Sequence, residues 1–230
     1  MKTLYVNGDS HSTQVYGAAG ISFAEQLAKR FSLELINRSL PGGSNQRIIR
    51  TSHADLASLA PAETFVLIGW SSFERAEWYY NHQWHKIAGS DAYTLPEELV
   101  DEGNRHLENF HTNMAYCLNC HIEQHQSIWN FYCSLAAQGY QFLFFQGCET
   151  FFFDGLPEQD RNFQFPWRAG SWAHNPYVTV LPDNSRHIES FSHLCRRQGF
   201  VHTDQYAHYG QDAHDYWADF LTPKIQTLLN

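Results

Sequence analysis

The run Lys2-Thr3-Leu4-Tyr5-Val6-Asn7-Gly8-Asp9-Ser10-His11-Ser12 decides how the rest of the chain is read. Leu4, Tyr5 and Val6 form a short apolar stretch of the kind that makes a buried strand. Gly8 breaks it, and Asp9 and Ser10 follow where the chain must leave a sheet. A serine between the end of a strand and a helix sits beside backbone N–H groups that lack a helical partner. There a hydroxyl can be activated as a nucleophile, and the oxyanion it generates can be held. Gly, Asp and Ser are also ordinary turn and capping residues. The tripeptide therefore gains meaning only if other parts of the chain bring a base and further donors to the same place.

Beyond this run, Ser22-x-x-Glu25 is a capping-box pattern, and Phe23, Leu27 and Phe31 follow at helical spacing, which predicts a helix over about 22–32. Leu33 to Asn37 reads as a second strand. Pro41-Gly42-Gly43-Ser44-Asn45 is a tight loop, with Asn45 placed to cap a helix through Ile48 and Ile49 to Leu59. Thr64-Phe65-Val66-Leu67-Ile68 has the continuous apolar character of a buried parallel strand and ends at Gly69-Trp70-Ser71-Ser72. Residues 73–103 read as an irregular, aromatic-rich insertion with short helices, and Arg105 to Ala137 as one long helix closed by Gly139. Gln141 to Phe145 is a fourth strand. Residues 147–183 are a second aromatic-rich insertion, of a length that is unusual unless functional. A helix from Arg186 to Gln198, a short last strand at Phe200-Val201-His202 and a helix from Ala213 to Leu229 complete the order.

Such alternation predicts one α/β domain over 1–230, a mostly parallel sheet with helices on both faces. Ligands of such sheets lie beyond the carboxyl ends of the strands. Ser10, Gly42 and Gly43, Gly69 to Ser72, and Asp204 with His208 each follow a predicted strand, so all four groups are expected at one edge.

Composition narrows the function. With 43 % hydrophobic and 17 % charged residues, the 230-residue chain is a folded globular protein. Its formal charge of −9 and lack of any Lys/Arg block argue against a nucleic-acid groove. Five scattered cysteines, an odd count, argue against a disulfide framework and for a reducing compartment. No signal-peptide pattern or membrane-length apolar run is present, so a cytoplasmic location is expected.

On these blocks the chain resembles the SGNH (GDSL-type) esterase superfamily, over nearly its whole length. The resemblance implies a flavodoxin-like three-layer α/β/α sandwich and a serine esterase without cofactor, acting on a small-molecule or carbohydrate ester through an acyl-Ser10 intermediate. The family's first block matches Gly8-Asp9-Ser10, with Ser10 as nucleophile. Its second, which gives a glycine N–H to the oxyanion hole, matches Asn37 to Asn45, with Gly42 or Gly43 as donor. Its third, Gly-x-Asn, matches Gly69-Trp70-Ser71 but has serine for asparagine. Ser71 or Ser72 would then donate through its hydroxyl, or Asn45 would swing in. Its last, Asp-x-x-His, matches Asp204 and His208 with one residue too many between them; the other pairing open is Asp212 with His214. His208 would be the base and Asp204 its orienting partner, and His214 is expected to be structural. Asp9, Trp70, Ser72 and Arg75 are candidate substrate contacts, Arg75 either meeting an acidic substrate or forming a surface ion pair. An acyltransferase on the same site and a non-catalytic, phage-related protein of the same fold are the alternatives.

Cys117-x-x-Cys120-His121 with His125 admits a zinc reading, since His121 and His125 lie one helical turn apart. The competing reading is a helix with core cysteines and exposed histidines. Trp78-Tyr79-Tyr80 to Trp84, and Phe151 to Trp172, are aromatic runs that either cap the sheet or wall a cleft beside Ser10.

Overall fold

A computed structural model describes residues 1–15, 20–88, 95–148, 187–204 and 206–229. Among these, five strands form one sheet in the order β2-β1-β3-β6-β7, with β1 Thr3–Asn7, β2 Glu34–Asn37, β3 Thr64–Trp70, β6 Gln141–Gln146 and β7 His187–Ser190. Every neighbouring pair is parallel. Alternate residues of these strands feed two cores. Leu4, Val6, Phe65, Leu67, Leu143 and Phe145 pack on one face against α1 (Phe23–Phe31), α5 (Phe191–Arg197) and α6 (Gln211–Leu229). Tyr5, Val66, Ile68, Phe142 and Phe144 pack on the other against α2 (Asn45–Leu56) and α4 (Met114–Gln138). This is the three-layer α/β arrangement expected, and it gathers the strand ends Gly8, Ser71, Gly147 and Ser190 along one rim.

Local chemistry sets the helix starts. The Ser22 hydroxyl accepts from the Glu25 N–H at 3.3 Å while the Glu25 carboxylate accepts from the Ser22 N–H at 2.8 Å, the reciprocal capping box read from the sequence. At α2 the cap is Ser44, whose hydroxyl accepts from the Arg47 N–H at 3.2 Å, and not Asn45. Asn45 lies one residue inside the helix, which leaves its side chain for another task.

Four expectations are corrected. The region 73–103 contains an antiparallel hairpin, β4 (Ala76–Tyr80) and β5 (Gln83–Ile87), and the start of α3 (Glu97–Thr112). Its turn residues Asn81 and His82 stand at φ 47° and 62°, the left-handed pair that a two-residue hairpin turn requires. The expected long helix is two, α3 and α4, parted at Asn113, which leaves helical geometry and caps the Tyr116 N–H. Of the helix expected over 186–198, the described residues give β7 over His187–Ser190 and then α5 over Phe191–Arg197. The expected strand at 200–202 is loop, apart from a single bridge between His202 and Tyr209. The insertion at 147–183 lies, from residue 149 onward, outside the described residues.

Candidate active site

The β1 strand hands over to a single 3-10 turn, Ser10–Ser12. Asp9 caps that turn: it is fully buried, and its Oδ1 accepts from the His11 N–H at 3.0 Å. Its Oδ2 accepts from the Cys148 thiol at 2.5 Å and pairs with Arg75 Nη1 at 3.5 Å. A Cβ at Gly147 would lie 2.7 Å from Asp9 Oδ1, so this glycine is required by the close approach of the carboxylate. Asp9, expected as a substrate contact, is thus the sealed hub that fixes the turn. Within it, Ser12 N–H donates to Asp9 O and Thr13 N–H to Ser10 O. Among the described residues neither the Ser10 N–H nor its hydroxyl has a hydrogen-bond partner, and the hydroxyl is not among the polar atoms sealed from solvent.

The second block crosses the end of β1. Leu40 N–H donates to Gly8 O at 3.0 Å, and Gly43 N–H turns back to Leu40 O at 2.9 Å. The Gly43 donor is therefore consumed by the turn. Gly42 stands at φ 71°, a conformation that favours glycine, and no hydrogen bond among the described residues claims its N–H.

The third block is held by carboxamides. Asn45 Oδ1 accepts from the Ser71 N–H at 2.7 Å, and Asn45 Nδ2 donates to Ser71 O at 3.1 Å and to Gln124 Oε1 at 2.7 Å. Both amide hydrogens of Asn45, expected as a substitute oxyanion donor, are engaged within the fold. Ser71 Oγ accepts from Arg75 Nη1 at 2.8 Å. Arg75 therefore spans Ser71 and Asp9, two blocks of the sequence. Trp70, expected as a substrate contact, is placed in the core: it is fully buried, its ring edge-on to Phe144 at 5.0 Å and Phe131 at 6.0 Å. Ser72 follows at the same rim and is buried.

The last block is a loop closed by the His202–Tyr209 bridge and by Thr203, whose N–H donates to His208 O at 2.8 Å. Asp204 Oδ1 accepts from the N–H groups of Tyr206 and His208, and its Oδ2 lies 2.7 Å from His208 Nδ1. Between Asp204 and His208, Ala207 stands at φ 63°. A carboxylate only accepts, so Nδ1 carries the hydrogen and Nε2 is left as the basic nitrogen. Burial pushes the Asp204 carboxyl up, but the bonds from the His208 ring, the His208 N–H and the Tyr206 N–H outweigh it and hold it below the ordinary carboxylate value. The His208 ring stands edge-on to the ring of His11, centroids 5.7 Å apart, and His11 is the residue after Ser10. Burial holds His11 neutral, down to about 4, with Asp9 opposing in part. His214 plays another part: its Nδ1 accepts from the Phe23 N–H at 3.3 Å and its ring stacks on Phe23.

His11, Gln124 and Cys148 escaped sequence reasoning. Cys148 follows β6 and so belongs to the rim by the strand-end rule, and His11 follows a capping Asp9. Gln124 carries no local signal, because its partner lies 79 residues away. His121 and His125 are buried against Phe73, with centroids at 4.4 and 5.0 Å, and among the described residues no group of three His, Cys, Asp or Glu side chains could hold a metal ion. None of the five cysteines is in a disulfide. No helix among the described residues is long and apolar enough to cross a membrane.

No family model matches the sequence, and a search of curated proteins finds no match. Among solved structures the chain is similar to the psychrotrophic esterase EstA from a Pseudoalteromonas species, at 13 % identity and a TM-score of 0.56 over 100 % of both chains. It is similar also to TesA, at 16 % identity and a TM-score of 0.54 over 99 % of this chain and 100 % of that one. A third is LAE5, an alpha/beta hydrolase enzyme from the metagenome of Lake Arreo, Spain, at 14 % identity and 0.50 over 100 % and 96 %. The likeness is one of overall fold.

Proposed function

We propose that the chain is a serine esterase that cleaves a small carboxylic ester. The observation that carries this reading is the 2.7 Å hydrogen bond between Asp204 and His208 Nδ1, in a loop whose imidazole lies against the Ser10 turn. Ser10 Oγ attacks the ester carbonyl and gives its proton to His208 Nε2. Asp204 keeps the other ring hydrogen in place and stabilises the imidazolium. The carbonyl oxygen, now an oxyanion, is held by the N–H groups of Ser10 and Gly42 and by the Ser71 hydroxyl. Ser71 accepts from Arg75, which turns its own hydrogen away from that cation and leaves it for the substrate. Loss of one such donor costs about 3 kcal/mol of transition-state stabilisation. The tetrahedral adduct collapses as His208 returns the proton to the leaving alcohol, giving acyl-Ser10. Water, deprotonated by His208, then attacks the acyl carbon and frees the acid and the serine. That EstA, an esterase, has the same fold adds support, although identity of 13 % transfers the fold and not the substrate.

The reading is tested with a fluorophosphonate probe and p-nitrophenyl acetate. The wild type is expected to be labelled at Ser10 and to turn the ester over; Ser10→Ala is expected to lose both. Undiminished turnover in Ser10→Ala overturns it.

A further inference from the structure

We infer that Asn45 and Gln124 are positioning residues, a two-carboxamide clamp that holds Ser71 in the place where the SGNH pattern has an asparagine side chain. The inference rests on the esterase reading above. Its ground is a chain of buried hydrogen bonds in which every amide orientation is dictated. Gln124 Nε2 donates to Phe73 O at 2.5 Å, so Gln124 Oε1 must face Asn45 Nδ2. Asn45 Nδ2 then spends its second hydrogen on Ser71 O, and Oδ1 takes the Ser71 N–H. A flip of either amide would set donor against donor or acceptor against acceptor. Both side chains are buried, at 1 % and 7 % exposure, so a broken link would not be repaired by water.

The clamp acts on Ser71 as a neighbouring strand would, pairing both its N–H and its C=O. It does so with a side chain from the first turn of α2, backed by one from the middle of α4. Ser71 Oγ is meanwhile fixed from its other side by Arg75, which also reaches Asp9 beneath the Ser10 turn. A serine hydroxyl is shorter than an asparagine amide and reaches an oxyanion only if its backbone is set accurately. Placement errors near the reacting atoms are costly in rate and cheap in substrate affinity.

Two variants test this. Asn45→Ala removes the direct clamp and is expected to lower kcat on the order of a hundredfold, with KM within about twofold of the wild type. Gln124→Glu makes the clamp switchable. The protonated acid can donate to Phe73 O and accept from Asn45, as the amide does, whereas the carboxylate repels Phe73 O. An ordinary glutamate titrates at about 4.3, and burial raises that value. The ratio of variant to wild-type kcat is therefore expected to be near one at about pH 5 and to fall tenfold or more by about pH 8, with KM held. Taking the ratio removes whatever pH dependence the two proteins share. If folded Gln124→Glu keeps a kcat within twofold of the wild type at every pH, the inference is overturned. A pH-independent loss that tracks loss of folded protein overturns it equally, since a purely structural role gives that result. If the wild type itself neither turns over esters nor labels at Ser10, the esterase reading fails and carries this one with it; active wild type with indifferent variants sinks this one alone.

Discussion

At His208 one hydrogen bond decides which nitrogen is basic. Asp204 can only accept, so replacing it with an amide allows the wrong tautomer: an Asn side chain can donate to Nδ1 and place the hydrogen on Nε2, the nitrogen proposed to take the serine proton. Asp204→Asn is expected to lower kcat about a thousandfold or more with little change in KM, read with p-nitrophenyl acetate; the same change in a well-studied triad costs about ten thousandfold. Retained activity would mean that Asp204 only caps its loop. The loop itself holds a strained residue. Ala207 at φ 63° adopts a left-handed conformation that costs a residue with a Cβ about 1 kcal/mol. Ala207→Gly is expected to leave the protein as stable or up to about 1 kcal/mol more stable in urea unfolding. The sequence left two pairings open, Asp204 with His208 and Asp212 with His214, and the fold brings the first pair together at 2.7 Å. Which of the candidate donors the fold leaves unengaged was not legible. Gly43 and Asn45 carry suitable groups by type, and only the fold reveals that Leu40, Ser71 and Gln124 have already used them.

The elements that sequence reading placed well are those whose core faces repeat: the apolar runs of β1, β3 and β6, and α1 with its capping box. The hairpin β4–β5 was missed because its two faces meet different things. Ala76, Trp78 and Ile87 pack with Leu95 and Leu99 in a small core of their own, while Glu77 turns the other way and is buried against Arg50 of α2. A charged residue at an inward position hides the alternation that marks a strand. Arg50 grips Glu77 through two bonds of 2.7 and 2.8 Å and lays its guanidinium over Trp84 at 4.5 Å, so it joins both strands of the hairpin to α2. The Glu77 side chain is 5 % exposed against 37 % for Arg50, which makes the carboxylate the member that suffers if the pair is broken. Arg50→Leu is expected to cost about 2 kcal/mol, less than a fully buried pair because the cation is half in solvent. Adding Glu77→Gln should recover most of the loss, since a neutral amide needs no countercharge. A single-variant cost below about 0.5 kcal/mol, the value of an ordinary surface pair, would show that the hairpin is not held this way.

Across the whole molecule, histidines are wedged between layers. His11 lies among Phe191, Tyr209 and His208; His214 stacks between α1 and α5 on Phe23 and Phe191; His121 packs on Phe73 and Phe110. Burial lowers all three from the ordinary 6.5, His11 and His214 to about 4 and His121 to about 3. Their folded values lie below their unfolded ones, so between these limits the unfolded chain binds more protons. The stability they secure is fully present above pH 6.5 and drains away as pH falls towards 4. Each unit of depression is worth about 1.4 kcal/mol, so the three together weigh against a total stability of about 5–15 kcal/mol. Asp204, whose carboxyl is held low, contributes in a separate window: its share is present above its unfolded value of 3.8 and is lost only as pH falls through the lower folded one. Overall charge works in the opposite sense. The chain carries −9 with its fourteen histidines neutral, and net proton uptake as pH drops relieves self-repulsion. A fall in the urea midpoint between pH 7 and 5 must therefore come from the buried rings. It should be shallower in His121→Phe, which removes one titrating ring and keeps an aromatic between Phe73 and Phe110. A midpoint that holds steady or rises from pH 7 to 5 would mean that these rings are already protonated in the fold, and that the layers close without needing them neutral.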